Sequence, residues 1–436
     1  MVTVTVRKAE KLKGEICAPP SKANTQRMLI AALLSAGNSK ISGPLFSDDT
    51  EATLRAVKAL GAKVKVSGDC WTVEGASPLR GSEKPIDCGE SGATLRFMIP
   101  VAALAAEPPT VFLLGKSLEQ RPIEPLLKSL RQLGVETSIQ KSGNQTFIKV
   151  QGGGIAGGKT SIRGDVSSQF ISGLMFACPK ARKDTEIVLT TPLESKNYVQ
   201  MTREVLAEHG VEVSISKDFR SLSVPSNQTY KPHDHVVPGD FSSAAFLLAA
   251  AATTRSEVTV KNLDYQTSVQ GDKAIVGILK KMGAKGKVCT SQIEIRGEGG
   301  PLEPVEVNAK HIPDLVPVIA ALACYAKGTS NIRGAQRLRY KESDRLLSLY
   351  LELRKMGADI TMNEDGLTVK GPCALHGAEV DPHNDHRIAM ACAVAALGAE
   401  GETRIVDAEC VKKSYPRFFN DLSSLGVDVV GGKLDW

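Results

Sequence analysis

Apolar positions recur with helical spacing in six stretches that all end the same way. AVKALGAKV (56–64), SLRQLGVET (129–137), VLAEHGVEV (205–213), ILKKMGAKG (278–286), ELRKMGADI (352–360) and DLSSLGVDV (421–429) share one phrase. Four positions before each glycine (Gly61, Gly134, Gly210, Gly283, Gly357, Gly426) stands an aliphatic residue: Val57, Leu130, Leu206, Leu279, Leu353, Leu422. A glycine so placed suits the left-handed residue just past a helix C-terminus, with a strand to follow. Successive glycines are 69 (357 to 426) to 76 (134 to 210) residues apart, so the chain consists of six repeats.

A second apolar pattern precedes each phrase. Thr25–Ala36, Ser91–Ala106, Ser167–Ala177, Ser242–Thr253, Pro313–Ala326 and Asp385–Leu397 are rich in small residues and nearly apolar all round, which predicts buried helices. Short β-rich runs follow, such as Thr110–Leu114, Glu186–Thr190 and Glu257–Val260. The repeat is therefore about two helices and several strands. Six of them predict two α/β domains of three βαβαββ-like units each, with helices inside and sheets outside. The segment from Lys231 to Gly239, poor in periodicity and rich in turn formers, reads as the connection between units three and four. The strand-like Val2 to Ile16 fits either domain.

Composition adds exclusions. At 436 residues the chain exceeds one ordinary core, and 42% apolar with 23% charged residues is the make-up of a globular protein. A net charge of +6, without basic runs or interleaved aromatics, fits small anions and argues against nucleic acid. The nine cysteines are scattered and form no CxxC pair, which argues against zinc and against a disulfide framework. No stretch reaches the length of a membrane span, and no signal-peptide core precedes Val6, so a reducing cytoplasm is the expected setting.

Polar residues collect at the starts of the buried helices: Ser21-Lys22 with Arg27, Gly89 to Arg96, Gly164 to Gln169, Gly239 to Ser243, His311 to Asp314, and Asn384 to Arg387. Ser, Thr, Asp and Asn are ordinary N-caps. Capping does not call for Lys22, Arg27, Arg96 and Arg387, because cations disfavour a helix start unless an anion is bound there. Lys341-Glu342-Ser343-Asp344-Arg345 poses the same question. It reads as the opening of the helix Leu346–Met356, with Lys341 and Arg345 four apart on its first turn and Glu342 and Asp344 as internal partners. Such pairing describes a solvated face unless other anion ligands exist, and the helix starts supply them.

One nucleotide-binding motif fails on context. Gly153 to Thr160 matches GxxxxGK[ST], but the motif needs a helix beginning at its lysine, and Ser161 to Asp165 is short, β-like and broken by glycine. The stretch reads as a glycine-rich turn between strands.

Taken in order, Ser21-Lys22 with Arg27, Ser47-Asp48-Asp49, Gly92 to Arg96, Gln120-Arg121-Pro122, Ser167 to Phe170, Ser195-Lys196-Asn197-Tyr198, Ile312-Pro313-Asp314, Lys341 to Arg345, and Asn384 to Met390 make the chain resemble the 3-phosphoshikimate 1-carboxyvinyltransferase (EPSP synthase) family from residue 21 to Lys413. The resemblance implies a two-domain inside-out α/β barrel: residues 21–237 in one domain, 1–20 with 238–436 in the other, closing over substrates at their interface. It implies transfer of an enolpyruvyl group from phosphoenolpyruvate to the 5-hydroxyl of shikimate 3-phosphate, with no metal or cofactor, in a cytoplasmic monomer that needs neither nucleic acid nor membrane. Shikimate 3-phosphate would be held by Lys22, Arg27, Ser167, Ser168, Gln169, Ser195, Tyr198, Asp314 and Lys341. Phosphoenolpyruvate would be held by Lys22, Gly92, Arg121, Gln169, Arg345, Arg387 and Lys413. Asp314 would accept the hydroxyl proton, Glu342 would move a proton at the methylene carbon, and Lys22 and His386 complete the implied catalytic set.

Ala23 and Asn197 stand where the family usually has serine and proline, and Glu90 and Ala93 replace the asparagine and threonine common in one branch of it. They bear on affinity for phosphoenolpyruvate and its mimics. Two other readings are weaker. A UDP-N-acetylglucosamine enolpyruvyl transferase would carry a catalytic cysteine, absent from Val111–Leu126. A non-catalytic anion-binding repeat protein would have no use for Asp314 and Glu342, since carboxylates weaken anion binding.

Overall fold

The computed structural model describes residues 2–143 and 145–431; Met1, Asn144 and 432–436 lie outside the described residues. Contacts divide the chain into two compact units, residues 20–237 and residues 1–19 with 238–436. Each has its own apolar core.

All six phrases end as the spacing predicts. The glycines have φ between 73° and 109°, in the left-handed region. The amide that follows each glycine donates to the carbonyl of the aliphatic residue four before it: Ala62 to Val57, Val135 to Leu130, Val211 to Leu206, Ala284 to Leu279, Ala358 to Leu353 and Val427 to Leu422, at 2.9–3.2 Å. This is the Schellman closure, in which an apolar contact accompanies the backbone bond. It explains why the position four before the glycine is always aliphatic: all six side chains are fully buried.

The apolar helices lie inside. Lys22–Leu34, Gly92–Ala102, Ser168–Ala177, Phe241–Thr253, Val316–Ala323 and His386–Ala396 are buried over most or all of their length. The fifth starts three residues later than its neighbours' pattern suggests, because Pro313–Leu315 forms a 3₁₀ turn first.

Six four-stranded sheets cover these helices, three to a unit, all of one order. In the third repeat Gly158–Ile162 lies parallel to Thr185–Leu189, which pairs antiparallel with Ser221–Val224, itself antiparallel to Ser214–Ile215. The P-loop-like stretch is thus a turn entering a strand, and Lys159 sits in that strand rather than at a helix start. Two sheets take a strand from the N-terminal segment. Lys11–Cys17 pairs with Arg255–Lys261, and Val4–Arg7 pairs with Glu402–Ile405 and Val429–Gly431.

The segment before Gly239 is more than a connection. His235–Val236 is the parallel edge strand of the first repeat's sheet, beside Asn38–Ser42. The first repeat has no edge strand of its own in that position, so the end of the third supplies it.

The C-cap geometry separates two glycines of one outer helix. Gly277, inside Ala274–Lys281, has open space where a β-carbon would go, whereas Gly283 has a φ of 89°. Gly277→Ala should stabilise by roughly 0.5–1 kcal/mol and Gly283→Ala should destabilise by roughly 1–2 kcal/mol. Opposite shifts of the urea midpoint check this pair; equal shifts would contradict it.

Candidate active site

In the unit formed by residues 20–237, three inner helices begin with serine caps. Ser21 accepts from the Asn24 amide, Ser91 from Thr94 and Ser167 from Gln169. Lys22, the first residue of its helix, pairs with Asp49 at 2.8 Å. Arg27, one turn further on, is only 2% exposed. Its Nε donates to Thr202 Oγ1 at 2.8 Å, and its Nη atoms donate to the carbonyls of Ala23 (2.9 Å) and Tyr198 (3.2 Å). The guanidinium also lies over the rings of Phe97 and Tyr198. These partners are all neutral, and burial lowers its pKa to about 10. Tyr198 is held in turn by the hydrogen bond its backbone amide donates to the carbonyl of Ser195, a residue of positive φ just before the helix Lys196–Glu208.

A second group surrounds Gly92. A β-carbon built there would lie 3.1 Å from Arg121 Nη1, 3.5 Å from Arg96 Nη1 and 3.7 Å from Gln169 Oε1. Glycine leaves that space open, with three polar side chains facing it. Gln169 accepts from Arg96 at 2.8 Å, and the Arg96 guanidinium stacks over Phe170. Arg121 donates to Ser117 Oγ at 3.1 Å. Glu90 accepts from the Ser117 hydroxyl and from the Ser117 and Leu118 amides, so it caps the short helix Lys116–Glu119 that leads to Arg121.

In the other unit the centre is Arg345. It is buried and reaches three carboxylates: Asp385 through Nε at 2.7 Å, Asp314 through Nη1 at 2.8 Å and Glu342 through Nη2 at 2.6 Å. Burial alone would depress the Arg345 pKa, but Asp385, Glu342 and Asp314 raise it well above the ordinary value. Lys341 Nζ and Arg387 Nη2 each lie 3.6 Å from Asp314. Burial would lift the Asp314 carboxyl, but Arg387, Lys341 and Arg345 outweigh it and hold it well below the usual carboxylate range. Burial also brings the Lys341 ammonium down to about 8, against the pull of Asp314.

Exposure sorts these groups. The side chains of Asp314 and Glu342 are 18% and 13% exposed and Lys341 28%, whereas Arg345 is 2% and Asp385 0% exposed. The first three can meet a ligand; Asp385 can only support.

The sequence expectation for Lys341 needs correcting. The helix runs Arg345–Lys355, and Lys341 lies before it in extended conformation. Asp344 is the reason: its side chain accepts from the Leu347 amide, which fixes the helix start at Arg345. Asp344 also pairs with Arg339 at 3.0 Å.

Asp385 caps the last inner helix by accepting from the Arg387 amide, and Arg387 donates to the carbonyls of Ser242 and Asp314. Lys413 donates to the Asn384 carbonyl one residue before that cap. His386 is buried, its Nδ1 3.8 Å from Asp385 Oδ1. Ser168 is buried at the start of its helix beside Gln169.

Sequence reasoning passed over three supporting acids. Asp49 and Asp385 sit inside quoted motifs as N-terminal helix residues, where a cap explains an acid by itself. Asp272 had no signal. It accepts from Ser242 Oγ, and burial, with Asp314 nearby, raises its pKa.

Repeats of buried helices under four-stranded sheets, with cations and carboxylates at the helix starts, define an α/β architecture of the inside-out kind. The chain superposes on EPSP synthase from Acinetobacter baumannii with a TM-score of 0.80 at 25% identity, covering 99% of this chain and 100% of that one. It also superposes on the enolpyruvyl transferase NikO from Streptomyces tendae with a TM-score of 0.79 at 18% identity, a likeness of fold, covering 99% of each chain.

The sequence pattern of the EPSP synthase (3-phosphoshikimate 1-carboxyvinyltransferase) family matches residues 6–422. The chain is 41% identical to the 3-phosphoshikimate 1-carboxyvinyltransferase of Methanocaldococcus jannaschii over 431 residues, 98% of this chain and 99% of that protein. With the protein of that name from Methanocella arvoryzae it shares 46% identity over 418 residues, covering 95% and 97%. The chain belongs to the EPSP synthase family.

The Arg345 cluster generates a stability prediction. Asp385→Ala leaves a buried guanidinium short of a partner and the inner helix uncapped, and should cost about 3–5 kcal/mol. Urea unfolding of the purified chain measures it; a loss under about 1 kcal/mol would show the ion pair to be energetically idle.

Proposed function

We propose that the chain transfers the enolpyruvyl group of phosphoenolpyruvate to the 5-hydroxyl of shikimate 3-phosphate, releasing inorganic phosphate. Family membership supports the reaction. The observation that carries the chemistry is the pair Asp314 and Glu342 on one guanidinium, amid Lys341 and Arg387. Two reachable carboxylates suit the two proton transfers that addition and elimination need, and the cations suit anionic substrates.

In this reading the acceptor's 5-oxygen attacks C2 of phosphoenolpyruvate as Asp314 takes its proton. A proton is added to C3, giving a tetrahedral intermediate. Expulsion of phosphate and loss of one C3 proton then restore the double bond. The pull of three cations keeps Asp314 ionised and ready to accept. Glu342 is assigned to C3. Phosphoenolpyruvate would replace it on Arg345 Nη2, and losing that partner would let Glu342 take up a proton.

Phosphoenolpyruvate is assigned to Lys22, Arg121, Gln169, Arg345, Arg387 and Lys413, with Gly92 giving the room. Shikimate 3-phosphate is assigned to Lys22, Arg27, Ser167, Ser168, Gln169, Ser195, Tyr198, Asp314 and Lys341. Arg27 best supports the phosphate site: among the described residues it has no ion pair, so an anion would complete it. Lys22, paired with Asp49, would assist as an acid. His386, buried beside Asp385, is assigned a positioning role.

A cytoplasmic monomer is the setting we infer. The nine unpaired cysteines fit a reducing compartment, and no described helix is long and apolar enough to cross a membrane.

Phosphate release tests the reaction. It should require phosphoenolpyruvate and shikimate 3-phosphate together, and Asp314→Ala should lose about 10²-fold or more in turnover while still binding shikimate 3-phosphate. Release with UDP-N-acetylglucosamine as acceptor would establish the rival transferase instead. Parental turnover in Asp314→Ala would remove the base assignment.

Lys341 sets a pH limit. Its ammonium titrates near 8, so the binding-competent cation is present below that pH and is lost as pH rises through it. The kcat/KM for shikimate 3-phosphate should fall on the alkaline side near pH 8, and Lys341→Arg should move that limb upward. An unmoved limb would assign it to another group.

A further inference from the structure

Away from these clusters, the unit of residues 20–237 holds a group that the proposed reaction does not use. Glu208 closes the helix Lys196–Glu208, His209 is its C-cap, and His233 and His235 lie on the segment that ends the unit. Glu208 Oε2 is 3.3 Å from His235 Nδ1, and one ligand atom each of Glu208, His233 and His235 lies within 4.8 Å of the others. The His233 and His235 rings are 4.8 Å apart, edge to face.

Hydrogen bonding fixes what these rings offer. His209 Nδ1 is 2.7 Å from the Lys231 carbonyl, which only accepts, so Nδ1 carries a proton. The neutral His209 ring then presents Nε2 as an acceptor. His235 Nε2, 2.9 Å away, must be the donor. A neutral His235 then turns a lone pair on Nδ1 toward the Glu208 carboxylate, acceptor against acceptor, in a side chain only 1% exposed. A positive charge between the two atoms resolves the clash.

We propose that Glu208, His233 and His235 bind a divalent transition-metal cation of the zinc class, with solvent as a fourth ligand. Two imidazoles and one carboxylate are an ordinary zinc set. A cation about 2.0–2.2 Å from each ligand needs them roughly 3.4 Å apart. Glu208 and His235 already stand at that spacing, and the 4.8 Å bound leaves His233 a short closure. The relay from His235 through His209 to the Lys231 carbonyl is the outer-shell support that metal-bound histidines use to fix tautomer and orientation. Glu208, 44% exposed, opens the site to solvent.

The cation would act as a clip. His235–Val236 is a two-residue edge strand held by a short parallel pairing, just before the boundary at Pro238. Metal ligation would tie that strand to the end of the helix Lys196–Glu208. The expectation of no metal came from cysteine spacing and from the family resemblance; the histidines were read only as turn-rich connection.

Cobalt(II) titration of the full chain, stripped with chelator and free of any histidine tag, tests the site. We expect one equivalent to produce saturable visible bands, zinc to displace it, and zinc to raise the thermal midpoint. Glu208→Gln and His233→Ala, both at partly exposed positions, should keep the fold and weaken cobalt binding about tenfold or more. Absence of saturable bands would overturn the proposal. Unchanged affinity in both variants would overturn it too, since any bound cation would then lie elsewhere.

Discussion

A single buried guanidinium organises the helix starts of the unit formed by residues 1–19 and 238–436. Arg345 ties together Asp314 on the turn before the fifth inner helix, Glu342 just ahead of its own helix, and Asp385 at the cap of the sixth. Burying an ion costs several kcal/mol even after relaxation, and only good geometry with matched partners offsets it. Here every nitrogen of the guanidinium meets a carboxylate oxygen. Asp314 and Glu342 are thereby held on one guanidinium. Asp385 does double duty, since it also accepts the Arg387 amide and so aims that arginine's helix turn.

Arg27 solves the same problem differently in the other unit. It has no carboxylate and relies on a hydroxyl, two carbonyls and two aromatic faces. Neutral acceptors satisfy its N–H groups but leave its charge uncompensated. Glu90 shows how the chain keeps an acid from undoing such an environment. Its carboxylate is taken up by Ser117 and two amides, away from the space that Gly92 leaves, and it thereby steadies the turn that carries Arg121.

What could be read from the chain depended on how local the physics was. The six outer helices were legible because a Schellman end needs only six consecutive residues, and Val57 to Ala62 or Leu353 to Ala358 contain all of it. The inner helices were legible from composition. The Asp344 cap was also local; giving Lys341 to the helix overlooked it, since an Asp three residues before Leu347 is an ordinary N-cap. The Arg345 cluster was not legible as geometry, because its partners lie 31 and 40 residues away along the chain. The strand His235–Val236 is too short for any periodicity, and its partner lies near residue 41.

The repeats also show how one local scaffold yields two chemistries. In the unit of residues 20–237 the inner helices are capped by Ser21, Ser91 and Ser167; in the other, each inner helix start carries an aspartate, Asp240, Asp314 or Asp385. A serine cap satisfies an amide without adding charge. The positive helix end and nearby arginines therefore keep their demand for an anion. An aspartate cap satisfies the amide and cancels that demand. It also lets cations and carboxylates be buried together, as around Arg345. Only Asp240 and Asp385 are caps in that sense; Asp314 lies in the 3₁₀ turn before Val316–Ala323 and accepts from Arg345 instead. The repeat sets where polar groups stand, and the residue at each helix start decides how much charge is buried there.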